Sequence, residues 1–518
     1  DNDVGINAPK GNVMVRNSRF ERSRFTDLFL STHSHSARRV LSVNSRAFIR
    51  THRGPGALGA ITVEDCRVDG WTDPDGAIIS ALRGPITVFD CEFSNPPNSN
   101  PPIVLAQPRY MRQPVLVANV KSSNPLVDAG PNGRVLHISA PSAEVGPSLN
   151  QRFLRSAKLP IRYFDIKTDC GAKGDGHGDD ADAINDCISR AKSSRNSAVY
   201  IPSGRYLVGQ PLDVSGEGYT LVGSGWHSQV IAKNSQIDSV LNINDANRVM
   251  ISQLAVGGSP KLARVYQTNS IPGYVRYEHV FGYAGNFDHE RAFRFQSLAP
   301  LTIVHAGMID GNQVFSNTGA AITYLGMSIS TRLRVDGSES FAGGHLGIGA
   351  MFTCCRPWPL EVRNNQSLTV ADWYNEQTRF LAHISGESDD PPGEVVLNLK
   401  KAESEDPLFA RLDNYRGRLS FSGGFFGKYK DDRPRRLFQS ADSQASVSFY
   451  GNMFWYEQPE LPSSAHLTGN IIQGVADKTA MVPEKMSPLA EREIVAAINA
   501  FRRLGQLDRY VNYCEAIR

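Results

Sequence analysis

Short segments in which apolar and polar positions alternate recur through residues 1–150. The segments VMVRNSRFE, ITVEDCRVD and ITVFDCEFS align with one another, with Asn17, Asp65 and Asp90 in one column, and VLVANVKSS extends the series. The repeat length is about 25 residues, and each unit consists of a short alternating strand, a polar turn residue and a second short strand.

A unit of this kind cannot bury its apolar face alone. Stacking successive units buries those faces in one continuous core and pairs each strand with its equivalent in the next coil, which predicts a right-handed parallel β-helix. Cys66 and Cys91 then stack in a buried ladder. The pattern is already under way at Asp1, so we expect residues 1–155 to be the C-terminal coils of a first β-helix that lacks its initial coils.

A different pattern begins at TDCGAKGDGHGDDADAINDCISRA, residues 168–191. Apolar residues recur at helical spacing after Asp180, which predicts a short amphipathic helix with Asp180 as its N-cap. A phosphate loop is excluded because GAKGDG lacks the terminal Lys-Ser/Thr, and the loop departs from the twelve-residue calcium pattern. Cys170 and Cys187 flank this helix, and both a disulfide and two buried thiols fit the sequence.

The segment and the VYIPSGRYLV that follows resemble the opening of the pectate-lyase-like superfamily, in which AKGDG…DD…AI forms a capping helix before the first coils. A coil array, this start motif and a second array together resemble glycoside hydrolase family 55, the twin-helix exo-β-1,3-glucanases (laminarinases). The resemblance implies an all-β fold of two tandem β-helices, the second over residues 156–483. No catalytic signature of that family matches residue by residue, and hydrolases, lyases, epimerases and tailspikes share the fold.

Residues 262–296 are rich in aromatic, basic and acidic side chains. Aromatic faces stack on sugar rings, and arginines and carboxylates bind hydroxyls, so such a mixture on a solenoid face indicates a saccharide groove. A long decorated loop packed on the β-helix is the alternative. The predicted substrate-binding residues of this segment are Tyr274, Arg276, Tyr277, His279, Tyr283 and Arg294.

Glycoside hydrolysis normally requires two carboxyl groups that flank the scissile bond. On a strand, Asp288 and Glu290 would share a face roughly 6.6 Å apart. We predict Glu290 as the general acid, with Asp288 or Glu278 as its partner. A second candidate is VADWYNEQTRF, where Trp373 and Glu376 are predicted to bind substrate; Trp373 as the cover of a coil end is the alternative.

The predicted function is therefore a polysaccharide-degrading glycoside hydrolase. A polysaccharide lyase acting on a uronate-containing glycan is the second interpretation, since Tyr277, His279, Arg276 and Arg294 could supply its base and its cations. A non-catalytic glycan-binding or tailspike-like β-helix is the third. The expected partner is a polysaccharide or oligosaccharide, together with the missing N-terminal portion of the same protein, and the expected location is extracellular or periplasmic.

Composition also bears on which partners and cofactors to expect. The 55 basic and 52 acidic residues give a net charge of +3 without a basic stripe, so no nucleic-acid partner is expected. No apolar run reaches the roughly 18 residues needed to cross a bilayer, so no membrane partner is expected. Seven cysteines form no Cys-x-x-Cys pair, and neither a metal nor an organic cofactor is expected.

The last segment, residues 484–518, has helical rather than alternating periodicity. Ser487 and Pro488 suit a helix start. The apolar positions that share one face of this helix are Leu489, Ile494, Ile498, Phe501 and Leu504. The helix is expected to cover the open end of the second solenoid or to dock between the two, with an oligomer contact as the alternative.

Overall fold

The structure is a computed structural model. It describes residues 2–9, 11–31, 33–52, 59–82, 84–106, 113–130, 133–141, 162–194, 196–282, 292–306, 309–310, 313–317, 322–326, 329–330, 332–337, 346–354, 359–378, 380–387, 392–404, 408–426, 436–441, 444–454, 465–473, 479–482 and 486–517.

Two parallel sheets face each other in the first part of the chain, which we call the first stack. Sheet A runs in the order β1 (Val4–Ala8), β3 (Thr26–Leu30), β5 (Ile49–Thr51), β8 (Ile78–Ser80), β10 (Ile103–Leu105) and β12 (Val127–Asp128). Sheet B contains β2 (Val13–Glu21), β4 (His35–Val43), β6 (Ile61–Glu64), β7 (Arg67–Asp69), β9 (Ile86–Ser94), β11 (Pro114–Ser122) and β13 (Arg134–Ile138). Every pairing described in these sheets is parallel, as the repeat predicts.

The polar column of the sequence repeat is a column of turn residues. Asn17, Asp65, Asp90 and Asn119 all have φ between 48° and 53°, in the left-handed region that short polar side chains tolerate. Asn119 donates a hydrogen bond from Nδ2 to Asp90 Oδ1 at 2.7 Å, so successive coils are also linked at the turn. The column therefore bends each coil at the same place.

The predicted cysteine ladder is confirmed. Cys66 and Cys91 are both buried in the core of the first stack, and both thiols are free. Burial, reinforced by a hydrogen bond with Cys66, raises the pKa of the Cys91 thiol well above its usual value. A thiol in this state is a packing group.

The segment that opens the second part of the chain folds around one helix. It comprises β14 (Arg162–Asp165), β15 (Asp175–Asp179) and α1 (Ala181–Lys192). Cys170 and Cys187 form a disulfide that ties the loop to the helix. Asp180 occupies the N-cap position, but its carboxylate accepts hydrogen bonds from the backbone N–H groups of Lys173 and Gly174 instead of capping α1.

The glycines of this motif are structural. Gly174 has φ of 63°, and a Cβ at this position would lie 2.5 Å from the ring of Tyr206. The motif therefore shapes a turn over the first coils.

The strands after this segment form a second stack. Its earlier members are β16 (Ser197–Tyr200), β17 (Gly204–Val208), β18 (Leu212–Glu217), β19 (Tyr219–Ala232), β20 (Ser239–Gly257), β21 (Ala263–Asn269), β22 (Gly273–Gly282), β23 (Phe293–Ser297), β24 (Leu301–Ala306), β25 (Ile309–Asp310), β26 (Gln313–Asn317), β27 (Ile322–Gly326), β28 (Ile329–Ser330), β29 (Leu333–Gly337) and β30 (Leu346–Ile348). Its later members are β31 (Met351–Cys354), β32 (Leu360–Val362), β33 (Leu368–Thr378), β34 (Ala382–Ser385), β35 (Gly393–Ser404), β36 (Leu408–Asp413), β37 (Arg416–Ser422), β38 (Phe425–Phe426), β39 (Arg436–Ala441), β40 (Gln444–Tyr450), β41 (Met453–Phe454), β42 (Ala465–Thr468), β43 (Asn470–Gln473) and β44 (Thr479–Val482).

The strands of the second stack pair in parallel, each with its equivalent in the next coil, except that β43 and β44 are antiparallel. Inward-facing side chains form one long apolar core, with stacked rings such as Phe295 on Phe315 at 4.8 Å between centroids and Phe421 on Phe449 at 5.1 Å. The predicted all-β fold of parallel coils with a short helix at the start and another at the end is therefore confirmed. The predicted division into 1–155, 156–483 and 484–518 stays a prediction.

The C-terminal helix α2 (Pro488–Ile517) lies between the two stacks. Ser487 accepts a hydrogen bond at Oγ from the backbone N–H of Ala490, as the predicted helix start requires. The buried face of α2 packs with apolar residues from both stacks, among them Phe89, Leu116, Val304, Val396 and Tyr450. Of the predicted apolar face, Leu489 is exposed and Ile494, Ile498, Phe501 and Leu504 are buried.

A cluster of buried charges also joins the two stacks. Arg38 and Glu64 of sheet B form an ion pair, and Arg38 Nε lies 3.3 Å from Asp372 Oδ2 of the second stack. Lys400 Nζ lies 3.5 Å from Asp372 Oδ1. Because buried charges are tolerated only when they are paired, this cluster fixes how the two stacks meet.

Within the described part of the chain, no helix has both the length and the apolar character needed to cross a membrane.

Candidate functional site

One outward face of the second stack carries a column of side chains that are polar at every position except Val314. Paired residues on β21, β23, β26, β29, β32, β34 and β36 place these side chains in register. The residues are Tyr266, Arg294, Val314, Arg334, Glu361, His383 and Arg411. A second column two residues further along each strand contains Gln296, Ser316, Asp336, Ser385 and Asp413. We call these two columns the polar ladder.

The polar ladder exists because the strands alternate strictly. On β29, Leu333 and Val335 are buried in the core, so Arg334 and Asp336 must point outward. The same parity holds on β34, where Ala382 and Ile384 are buried. Parallel in-register pairing then superimposes the outward residues of one coil on those of the next.

Glu361 lies at the centre of the polar ladder among three arginines. Its side chain is only 5% exposed, and its oxygens contact Arg332 at 2.9 Å, Arg334 at 3.8 Å and Arg363 Nε at 2.7 Å. Partial burial alone would raise the pKa of Glu361, but the hydrogen bond from Arg363 and the charges of the three arginines lower it below its usual value. Glu361 is therefore a carboxylate at neutral pH.

Asp336 lies on the neighbouring strand and shares Arg334 with Glu361. Arg334 Nε is 2.9 Å from Asp336 Oδ2, and Ser316 donates a hydrogen bond to Asp336 Oδ1 at 2.5 Å. Because both carboxylates contact the same nitrogen atom, their nearest oxygens are no more than about 7 Å apart, a separation compatible with the two carboxyl groups of a glycoside hydrolase. The arrangement is thus a carboxylate pair on a solvent-facing sheet.

A second charged group follows along the same face. His383 Nε2 lies 2.9 Å from Asp413 Oδ2, and Arg411 Nε lies 2.6 Å from the same oxygen. Burial alone would raise the pKa of Asp413, but the hydrogen bonds from Arg411 and His383 lower it below its usual value. Asp413 therefore holds the imidazole as a carboxylate does in acid–base sites.

The structure divides the predicted site residues between faces. Arg294 belongs to the polar ladder, whereas Tyr274, Arg276 and Glu278 lie on β22, which pairs with β20 and β24 on another face. Arg276 and Glu278 form an ion pair at 3.7 Å, and Tyr274 packs against the cluster around α2. These residues are therefore not gathered around Arg294.

Two predicted substrate-binding residues are core residues, which corrects the expectation for them. Tyr277 and Trp373 are fully buried. Tyr277 donates its hydroxyl proton to Gln267 Oε1 at 2.6 Å, and Trp373 Nε1 donates to Thr353 Oγ1 at 2.8 Å. Both rings occupy inward positions of alternating strands, and their polar atoms are satisfied inside, so neither ring offers a face to a sugar.

The remaining predictions are untested. His279 has a backbone φ of 49°, so the chain bends at this residue within β22. Tyr283, Asp288 and Glu290 lie outside the described residues, and so does the side chain of Glu376. The roles predicted for Glu290 and Asp288 therefore stay predictions.

Sequence reasoning missed the centre of the polar ladder. The signal was present in LRVDG, LEVR, AHIS and ARLD, four short strands in which every second residue is polar. These strands lie 22 to 28 residues apart in the paired positions. Aligning them as coils would have placed Arg334, Glu361, His383 and Arg411 in one column.

No group of three or more His, Cys, Asp or Glu side chains among the described residues is placed to hold a metal ion.

Comparison with known proteins supports the assignment of the start motif. Residues 163–271 match the family model of rhamnogalacturonase A/epimerase, pectate lyase-like. A curated relative, the non-secreted LysM effector LysM19 of Penicillium expansum, is 40% identical over 79 residues. That match covers 15% of this chain and only 6% of the relative's length.

Solved structures resemble the chain distantly. The catalytic unit of the thermostable GH87 alpha-1,3-glucanase from Streptomyces thermodiastaticus strain HF3-3 has 15% identity and a TM-score of 0.34, over 61% of this chain and 70% of that one. ORF18 of Geobacillus virus E2 has 12% identity and a TM-score of 0.29, over 60% of each chain. The likeness to glycoside hydrolase family 55 stays a prediction. Residues 163–271 are thus similar to the pectate-lyase-like family model, and the coils described above form a parallel β-solenoid.

Proposed function

We propose that this protein is a carbohydrate-active enzyme that hydrolyses glycosidic bonds in a polysaccharide bound along the polar ladder. The observation that supports the proposal most directly is the pair Asp336 and Glu361, two carboxylates that share Arg334 on a solvent-facing sheet. The family description matched by residues 163–271 also names carbohydrate-acting proteins. Both point to sugar chemistry.

The two carboxylates have different proposed roles. The lowered pKa of Glu361 keeps it ionised, which suits a base that activates water or a nucleophile that attacks the anomeric carbon. Asp336 is then the second carboxyl group that glycoside hydrolysis requires, with Arg334 placed between the two groups. His383, held by Asp413, is available to orient the substrate or to exchange protons with solvent.

The extent of the polar ladder suits a polymer. Adjacent strands of a sheet are about 4.8 Å apart, so the seven strands of the first column span roughly 29 Å along the solenoid axis. Tyr266 and Arg294 lie on one side of the carboxylate pair, and His383 and Arg411 lie on the other. A chain of several sugars lying along the axis would contact all of them.

The disulfide between Cys170 and Cys187 supports a location outside the cytoplasm, because such bonds persist in oxidising compartments. We therefore propose an extracellular or periplasmic site of action.

The test is hydrolysis of a panel of β-1,3-glucans, other neutral glycans and uronate polysaccharides. We expect new reducing ends, and we expect Glu361→Gln and Asp336→Asn each to lower kcat by about 10² to 10⁴, the usual contribution of a positioned acid or base. Asp186→Asn is the control, because Asp186 lies on the exposed surface of α1 in an ion pair with Arg190. Full activity in both ladder variants, with loss in Glu290→Gln, would move the site to the segment around Glu290.

A polysaccharide lyase is the second candidate, and the arginines favour it. Arg332, Arg334 and Arg363 could neutralise a uronate carboxylate, and His383 could remove the proton beside it. A lyase creates an unsaturated sugar, so ultraviolet absorbance would rise together with the reducing ends. New reducing ends without a rise in absorbance would indicate hydrolysis rather than elimination in the same assay.

A further inference from the structure

A pocket of about 320 Å³ opens on the outer face of sheet A, in the first stack. Its walls include Phe25, Phe29, Arg50, His52, Ile79 and Ala106. The contacts described between the two stacks involve sheet B, so this pocket is separate from the junction and from the polar ladder. Its volume lies at the lower end of the range for small-molecule sites, which suits a single ring.

Arg50 has hydrogen-bonding capacity that the protein leaves unused. One of its nitrogens, Nη2, pairs with Asp73, a carboxylate that is 1% exposed. Asp73 also accepts from Arg46 Nε at 3.0 Å and from the backbone N–H of Asp75 at 3.0 Å, so its two oxygens are occupied. Arg50 Nε is buried and has no hydrogen-bond partner. That atom is shielded from solvent, but the Arg50 side chain is 19% exposed and lines the pocket, so an acceptor in the pocket would bind the accessible N–H groups of its guanidinium.

The net positive charge beside the pocket also favours the binding of an anion. Arg46 and Arg50 carry two positive charges against the single negative charge of Asp73. No residue among the described walls of the pocket is acidic. Asp73 therefore holds the guanidinium of Arg50 in position, but its single negative charge does not cancel the charges of both arginines. A carboxylate, which an arginine can bind with two parallel hydrogen bonds, fits this position.

The rest of the pocket is shaped for a flat apolar surface. The rings of Phe25 and Phe29 meet edge to face with centroids 5.4 Å apart, and His52 lies 6.0 Å from Phe29. The guanidinium of Arg50 lies over the ring of Phe25 at 5.0 Å, which keeps the charge beside the aromatic wall. A ring placed against Phe29 would thus have its substituent directed to Arg50.

We propose that this pocket binds a small carboxylate that carries one six-membered ring. Arg50 binds the carboxylate and Phe25 and Phe29 contact the ring. An acidic sugar and a non-sugar ring acid share this chemistry. The proposal goes beyond the polysaccharide site and does not depend on it, because it names another surface and needs no bond to be broken.

The test is equilibrium binding to the full chain by calorimetry and saturation-transfer NMR. The probes are glucuronate, benzoate, glucose and acetate, so that the sugar ring, the apolar ring and the carboxylate are separated. We expect glucuronate or benzoate to bind, and we expect glucose and acetate to bind at least about ten-fold more weakly, since each lacks one of the two contacts. Preference for glucuronate over benzoate would identify the ligand as an acidic sugar, and the reverse would identify a ring acid.

Two variants make the test specific. Arg50→Gln should weaken binding at least about ten-fold, because a charge-assisted contact is lost. Arg46→Gln is the matched comparison: it removes the same charge beside Asp73 but no group that lines the pocket, so it should weaken binding less than Arg50→Gln does. Phe29→Leu tests the ring wall without touching Asp73. Equal binding of glucose and glucuronate, equal loss in Arg46→Gln and Arg50→Gln, or no binding of either ring acid would overturn the proposal.

Discussion

Lys400 is the residue whose replacement tests the junction between the two stacks most directly. Its side chain is fully buried, and its Nζ donates to the backbone oxygen of His35 and to Thr62 Oγ1, both at 3.3 Å. Burial lowers the pKa of Lys400 to about 7, with the charge of Asp372 opposing this shift and that of Arg38 adding to it. We predict that Lys400→Met changes how stability depends on pH.

The sign and size follow from proton linkage. In the unfolded chain Lys400 stays protonated up to about pH 10.4, whereas in the folded chain it loses its proton near pH 7. Between these values the unfolded state binds more protons, so the contribution of Lys400 to stability rises with pH and is lost as pH falls through about 7. A difference of almost one proton amounts to about 2 to 3 kcal/mol between about pH 7.5 and 9.5.

The measurement is urea unfolding of the wild type and of Lys400→Met across that interval. We expect the free energy of unfolding of the wild type to gain about 2 to 3 kcal/mol relative to the variant as pH rises, because methionine is an unbranched apolar side chain of similar length and has no proton to lose. Lys192→Met is the control, since Lys192 forms an ion pair with Asp213 outside the junction. Parallel pH profiles for wild type and Lys400→Met would refute the reasoning.

Two further predictions concern the helices α1 and α2. Cys187→Ala removes the disulfide to Cys170, which closes a separation of 17 residues, and should cost about 3 kcal/mol of unfolding free energy. A variant as stable to urea as the oxidised wild type would contradict this prediction if reduction of the wild type lowers its stability. Phe501→Ala should cost about 3 to 5 kcal/mol because Phe501 is buried beneath Arg38, whereas Leu489→Ala, on the exposed side of α2, should change the thermal midpoint little. Equal midpoint shifts in both helix variants would show that α2 is not packed as described.

The fold could be predicted because its signal is local and repeated. Asn17, Asp65 and Asp90 align in the sequence, and each adopts the left-handed turn conformation that such side chains tolerate. Cys66 and Cys91 likewise hold equivalent places in their repeats and are buried. A pattern that recurs in every coil can be recognised without knowing which residues of distant coils are in contact.

The candidate site was harder because it depends on register. Glu361 and Arg334 are neighbours only because the coil from β29 to β32, which includes β30 and β31, has the length that aligns them. Tyr277 was wrongly predicted to bind substrate because aromatic side chains often stack on sugars. It lies next to Arg276 on an alternating strand, and this position turns its side chain inward. Parity along a strand would have been a better guide there than the type of side chain.

Asp180 illustrates a further limit of local patterns. It stands at the position of a helix cap, yet its two oxygens bind the N–H groups of Lys173 and Gly174 in the preceding loop. The N-terminus of α1 is reached instead by Asp179, whose Oδ1 accepts from the N–H of Ala181 at 3.2 Å. Two adjacent aspartates can exchange these roles, and the choice is made by the loop geometry that Gly174 permits.

The place of α2 in the chain has a consequence for biosynthesis. The helix that fills the space between the stacks begins at Pro488, so a ribosome completes both solenoids before it has made the segment that covers their facing apolar residues. Until then, Phe89 and Leu116 on one side and Val396 on the other are left without their final neighbours. The nascent chain therefore passes through an interval in which these apolar residues are open to chaperones, and a chain that stops before Pro488 keeps them uncovered and is prone to aggregate.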